Sequence, residues 1–366
     1  MHAGQMSSRE RIRAALMGEP VDRLPFSPFL AYVWEHMPEE TTKDGQLAFH
    51  HRIGADPLWR GSPCPVKQIG PEVERRQYTE GNVEVTEVVT PVGSIRHGHR
   101  RTDEAGSTLF RVEHPLKTEE DYKVMLWMEE NRRFEYDPSG LEEHLQGNGR
   151  EGFTFGMLCP RGKSAFQMLI EHFAGTLEMN YALMDYPDTV EALWTKMVEN
   201  DMTAARLAVE APVEFFLTWE DSGTQNYSPD QYDRYIGSEI RQWCELLESA
   251  GKHYIQHACG HLNDLLIPMK ESGVFAVESL CTPPTGNIEL RDAREKVGSD
   301  FGIIGGIEPT LFLNKTEEEL PAYVEEVIAE GFGGPFVLAN SDSCPPGVTE
   351  EKFKLVADTA KRLTQS

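Results

Sequence analysis

From residue 150 onward the chain alternates short β-rich runs with longer helical ones. No other feature constrains its fold so tightly. Gly152–Leu158 reads as a strand, followed by a helix from Ser164, with Gln167 three residues on to complete a capping box, and by a second helix through Val190–Val209. Val213–Trp219 is the next strand, and Ser228-Pro229-Asp230-Gln231 then gives an N-cap, a proline at the first helical position and a glutamine at the third. The pattern continues with His253–His257, Val274–Leu280, Phe301–Ile307 and Pro335–Asn340, each followed by helical sequence (261–272, 289–297, 316–330 and 349–363), with Thr316 and Glu319 capping the penultimate helix. Such alternation means parallel β/α units. A doubly wound sheet would alternate in the same way, but no Gly-rich phosphate fingerprint follows an early strand, and polar groups recur at every strand end. The prediction is an α/β fold, a (β/α)8 TIM-type barrel.

The first half fits around this frame. Ser7-Ser8-Arg9-Glu10 is a capping box opening a helix from Glu10 to Met17, and Arg23–Phe29 is a short strand bounded by prolines. Residues 66–125 have a different texture, with a β-rich run at Val83–Thr90 ending at Pro91-Val92-Gly93 and further short runs at Ser94–His99 and Thr108–Val112. They read as antiparallel hairpins inserted into a single barrel domain spanning 1–366.

Composition serves mainly to exclude. Sixty acidic residues against 35 basic ones give a net charge of −25, which repels phosphate backbones and argues against nucleic acid as a partner. No long apolar run or charged-then-apolar leader occurs, so a cytoplasmic protein without a membrane segment is expected. Six cysteines in 366 residues are too few for a disulfide scaffold, and they read as free thiols, metal ligands or core fillers.

In a parallel β/α fold the C-terminal strand ends converge on the active site. Here they present Met157-Leu158-Cys159, Trp219-Glu220-Asp221, His257-Ala258-Cys259, Glu278-Ser279, Glu308 and Asn340 through Cys344. This mixture of imidazole, thiol and carboxylate suggests a metal. His257 and Cys259 stand two apart at a strand end, where alternate side chains point the same way, and imidazole with thiolate suits zinc. Cys344 supplies a third ligand from another strand end. Glu278 is the candidate for the fourth, or a substrate contact, with His261 and Asp342 as competitors. The competing structural reading makes Cys259 and Cys344 core residues and His257 merely hydrogen-bonded. Glu220 and Asp221 are adjacent carboxylates suited to acid–base work or to anchoring a hydroxyl. Met157, Asn226 and Tyr227 are candidate substrate contacts. Cys244, beside Trp243 in an amphipathic helix, reads as core.

These residues, with Arg9–Ile12, Asp22–Phe26, Gly54-Ala55-Asp56-Pro57, Thr90–Gly93, His257-Ala258-Cys259-Gly260, Ile304–Pro309 and Pro345-Pro346-Gly347, resemble the uroporphyrinogen decarboxylase-like superfamily. Specifically, they resemble its zinc-dependent, corrinoid-linked methyltransferase branch, of the methylcobamide:coenzyme M and O-demethylase type. The resemblance implies a (β/α)8 barrel whose His-x-Cys pair and distal cysteine hold zinc. It also implies methyl transfer to or from the cobalt of a cobalamin carried by a separate corrinoid protein, since this chain has no Asp-x-His-x-x-Gly corrinoid loop. Cobalamin-independent methionine synthase is similar in using a His/Cys/Glu/Cys set, which keeps Glu278 in view. Two departures stand out. The distal cysteine is expected where Asp342 stands, two residues before Cys344. The Arg-Gln-Ala-Gly-Arg motif of the decarboxylase proper is absent.

The leading expectation is therefore a zinc methyltransferase acting on a small O-methyl compound, such as an aryl methyl ether, with a corrinoid protein as partner. The alternatives are a cofactor-free decarboxylase or lyase working through Glu220 and Asp221, and a tetrapyrrole-binding protein with a structural metal site.

Overall fold

The computed structural model describes residues 5–37, 43–101 and 109–364, so residues 102–108 of the expected insertion lie outside the described ones. Six parallel strands form one sheet in the order Gly156–Met157, Phe215–Trp219, His253–His257, Ala276–Leu280, Gly302–Ile307 and Phe336–Asn340, each beside its neighbour in sequence. Leu58–Trp59 pairs in parallel with Phe153–Thr154, whose strand runs on toward Gly156. On the far edge Phe26 forms a parallel bridge with Leu338, and its carbonyl accepts the Asp56 amide at 2.7 Å. Parallel strands in sequential order with intervening helices are the arrangement of a TIM-type barrel. The stretch Arg23–Phe29, expected as a strand, contributes only the bridge at Phe26. The prolines at 25 and 28 remove the amides a longer ladder would need.

Residue parity along the strands sorts the core into two sets. Phe153, Phe155, Met157, Phe215, Leu217, Ile255, Ala276, Ile304, Val337 and Ala339 pack with one another on one face of the sheet. Phe216, Tyr254, Val277, Ile303 and Leu338, the alternate positions, pack instead with the helices. Ile12 and Leu16 of the helix Ser8–Leu16 join the first set, covering its N-terminal end. That helix has the expected capping box: the Ser7 amide donates to Glu10 Oε2 at 2.8 Å and the Glu10 amide to Ser7 Oγ at 3.3 Å. The box at Ser228 and Gln231 also forms. Ser164 caps without its side chain, because its hydroxyl is committed to Glu220. Thr316 and Glu319 bond reciprocally, but the helix that follows starts one residue later, at Leu320.

Residues 74–113 hold a four-stranded antiparallel sheet, Glu74–Glu80, Val83–Thr90, Gly93–Arg101 and Leu109–Glu113. It is anchored to the helix Glu119–Glu130, with Gly93 so close to Val124 that a Cβ there would stand 2.9 Å from the valine methyl.

Asp56 ties the first strand to the rest. It is fully buried and accepts from Arg11 Nη1 at 2.5 Å, Arg23 Nη1 at 2.7 Å, the Ser8 hydroxyl at 2.8 Å and the Phe26 amide at 3.3 Å. Removing one partner of a buried ion pair strands the others. Asp56→Ala is expected to lower the unfolding free energy by about 3–5 kcal/mol in urea titration. A change below about 1 kcal/mol would show that the network contributes little beyond a surface ion pair.

Candidate metal centre

The inward-facing positions 215 and 217 lead to Trp219, position 255 leads to His257, and position 276 leads to Glu278. Strand register puts these three side by side: Trp219 pairs with His257, and His257 with Glu278. The apolar interior thus ends, at the C-terminal end of the strands, in a layer of indole, imidazole and carboxylate. His257 Nδ1 meets Glu278 Oε2 at 2.5 Å, and the other carboxylate oxygen accepts from Arg60 Nε at 2.6 Å. Ser279 Oγ adds a bond of 3.1 Å to Glu278. With Glu278 accepting at Nδ1, His257 turns Nε2 toward Asp221, whose Oδ1 is 3.1 Å away. The Cys259 thiol lies 3.6 Å from the same oxygen.

Asp221, His257 and Cys259 therefore place one oxygen, one nitrogen and one sulfur within 4.8 Å of one another, the only such group of three or more found among the described residues. The backbone sets this distance. A Cβ on Gly260 would stand 2.7 Å from the Ser222 carbonyl and 2.9 Å from Gly223 Cα, so the close approach of the loops after the two strands requires glycine there. Three non-glycine residues among those described have positive φ: Asp221 (43°), Ser279 (70°) and Asp342 (62°). Asp221 and Asp342 sit in strand-end loops and Ser279 at a bulge near the end of its strand, where strained backbone is held by surrounding structure.

Charge is concentrated here: His257 and Glu278 are buried, and the Asp221 side chain is 35% exposed. Burial disfavours the imidazolium of His257, but Glu278 and Asp221 more than offset it and raise its pKa well above the ordinary value. Burial would likewise raise Asp221; His257 and Lys163 instead hold it far below the usual carboxylate range. The Lys163 ammonium contacts Asp221 Oδ2, Glu171 Oε2 at 2.8 Å and the Trp219 carbonyl at 2.5 Å. Cys259 is raised chiefly by burial, with His257 opposing and Asp342 and Asp221 adding to the rise. Phe29 stacks on Trp219 with centroids 5.6 Å apart and meets His257 edge-on at 6.1 Å, while Arg60 lies 5.1 Å over its ring. Beside Phe29 and Arg60 is a cavity of about 210 Å³ walled by Trp34, His50 and Trp59.

The sequence-derived candidates divide accordingly. His257 and Cys259 come together as expected. Glu278 is present, but as the residue that orients His257. Cys344 lies outside this group of three: its thiol is fully buried in the apolar core, and burial raises its pKa. Asp342, by contrast, bears electrostatically on both His257 and Cys259. Asp221 joins the cluster and Glu220 does not, because positive φ at Asp221 turns the two neighbours apart. Glu220 is buried and accepts from the Ser164 amide (2.8 Å), the Ser164 hydroxyl (2.6 Å) and the Thr218 hydroxyl (2.6 Å), which ties it to the start of the helix after Ser164. Met157 lies in the inner apolar layer, Tyr227 is buried near Tyr232, and the Asn226 side chain accepts from Thr176 at 3.5 Å. Arg60, Lys163 and Phe29 were absent from the expected set. Each stands just past a strand or bridge, at Trp59-Arg60, Gly162-Lys163-Ser164 and Phe26–Phe29, which is the signal that could have found them.

The site is a strand-end cluster whose donor atoms could hold a metal ion, on a parallel β/α fold. The sequence profile of the family described as uroporphyrinogen decarboxylase (URO-D) matches residues 164–363, more than half of the chain, and the protein belongs to that family. Among solved structures it is similar to a methyltransferase from Methanosarcina mazei, 16% identical over 98% of this chain and 99% of the other, with a TM-score of 0.61. A B12-independent methionine synthase from a Shewanella species is 11% identical over 94% and 98% of the two chains, with a TM-score of 0.48. At these identities the likeness to the methyltransferase shows a shared fold. No curated protein matches the sequence. Among the described residues no helix is long and apolar enough to cross a membrane.

Glu220→Gln is expected to lower the unfolding free energy by about 1–3 kcal/mol, since the amide cannot accept from both Ser164 donors and Thr218 at once. The metal content of the purified protein should be unchanged. Loss of metal with unaltered stability would return Glu220 to the reactive set.

Proposed function

We propose that this protein is a zinc-dependent methyltransferase that takes a methyl group from a small O-methyl compound and passes it to the cobalt of a cobalamin held by a separate corrinoid protein. The observation that carries the metal reading is the donor set itself. An imidazole nitrogen, a thiol sulfur and a carboxylate oxygen from Asp221, His257 and Cys259 converge at strand ends. Such a set suits tetrahedral zinc with one position left for substrate. Asp342 is the further candidate ligand in place of Cys344.

Bound zinc would act as a Lewis acid at an ether oxygen, making it a better leaving group. The surrounding residues have separable tasks. Glu278 fixes the tautomer of His257 and keeps Nε2 free for the metal, and Arg60 holds Glu278. Lys163 fixes Asp221. Trp219 and Phe29 exclude water from the imidazole face. The aromatic wall of the cavity at Trp34, His50 and Trp59 supports an aryl methyl ether as substrate, since a ring gains from edge and face contacts with other rings. In this reading the chain is a single closed (β/α)8 barrel over 1–366, with residues 66–125 as an insertion, working in the cytoplasm.

Elemental analysis of the purified protein should find about one zinc per chain. Anisole-type ethers should methylate a Co(I) corrinoid, followed by the change in its visible spectrum. Cys259→Ala should abolish both, and Glu278→Gln should weaken zinc affinity by about 10–100-fold while leaving the ligands in place. Absence of zinc together with unchanged methyl transfer in Cys259→Ala would overturn the proposal.

A further inference from the structure

A cavity of about 830 Å³, roughly four times the volume of the one beside Phe29, lies at the opposite end of the strands from the metal centre. Its wall includes Pro57, just before the strand Leu58–Trp59, and Gly152, just before Phe153–Thr154, so it opens at the N-terminal strand ends. The rest comes from the start of the first helix, the Arg150–Gly152 turn and Lys361 of the last helix. Its charge runs against that of the molecule. In a chain of net charge −25, this wall carries four arginines and a lysine, with Glu151 as its one carboxylate among the described residues.

Ion pairing does not cancel this charge. Arg11 and Arg23 are matched by Asp56 and Asp22 behind the wall. Arg9 has no carboxylate partner among the described residues: its guanidinium donates to the Gly152 carbonyl at 3.1 Å and the Gly149 carbonyl at 2.6 Å, which fixes the side chain. Arg150 reaches Glu151 only at 3.8 Å, and His51 shares the same carboxylate at 3.1 Å. Lys361 extends over Gly54, with Nζ 2.9 Å from where a Cβ would be, and pairs at 3.5 Å with Asp358, a side chain 75% exposed and therefore screened. Three cations from three separate segments thus converge on one basin whose nearby counter-charges, Glu151 and Asp358, are both well exposed.

We propose that this basin binds a compact, multiply charged oxyanion. Its volume falls in the range of small-molecule sites, and guanidinium forks match phosphate and carboxylate oxygens alike. The wall offers no aromatic ring except His51, so a ligand held by charge fits better than one with a base to stack. The proposal is independent of the metal reading, and each can fail alone.

Calorimetric titration with inorganic pyrophosphate and, separately, with citrate tests it, with ionic strength held constant so that screening does not change. The expected result is saturable binding of at least one probe, weakened about tenfold or more in the double variant Arg150→Gln/Lys361→Gln. Both residues lie at the surface, so the unliganded melting curve should match the wild type. Lys123→Gln, on a distant helix, should bind as the wild type does. Tighter binding of pyrophosphate assigns phosphate chemistry to the basin, and tighter binding of citrate assigns carboxylate chemistry; either supports the site. Absence of saturable binding for both probes, or equal affinity in the double variant, overturns it.

Discussion

The contact between Glu278 and His257 is the interaction on which the site depends. It joins two adjacent strands through side chains whose backbones are already in register, so it costs little extra ordering. It also leaves a buried carboxylate that must find a cation, and Arg60 from a distant part of the chain meets that need. Arg60 in turn donates to the Ser27 carbonyl at 3.0 Å, so the first two strand ends are drawn toward the fifth and sixth strands of the chain's β/α series. A single imidazole orientation is therefore held by three layers of polar contacts, and those contacts also draw together the strand ends that surround it.

Much of this was legible in the sequence because parity is legible. Short apolar strands ending in polar residues gave the position of His257, Cys259 and Glu278 without knowledge of the fold's closure. Backbone direction was not legible. Glu220 and Asp221 are neighbours with the same charge, and the positive φ at Asp221, which shapes the turn they share, is not written in their side chains. The same limit applies to Cys344: composition favoured a thiol, while the turn at Asp342 directs the carboxylate to the site and leaves the thiol in the apolar core. Lys163 and Arg60 escaped notice because their roles come from residues 58 and 218 positions away.

The two ends of the strands show contrasting electrostatics. At the C-terminal end carboxylates outnumber cations and are held by His257, Lys163 and Arg60, an environment that welcomes a metal ion. At the N-terminal end Arg9, Arg150 and Lys361 face a basin with one carboxylate. Since the chain as a whole is strongly acidic, that basin is a local inversion of the molecule's field, and such inversions concentrate ligands of the opposite sign.

The contact of Gly223 with Gly260 separates two things that metal sites often combine. The distance between the loops is fixed by main chain, whereas the identity of the donors lies in side chains that make no part of that contact. A ligand can then be exchanged without moving the scaffold that presents it. In the zinc reading proposed above, a carboxylate at Asp342 in place of a thiol would be such an exchange. On this architecture the metal preference of a site, and with it the hardness of the bond it activates, can drift by single substitutions while the fold stays still.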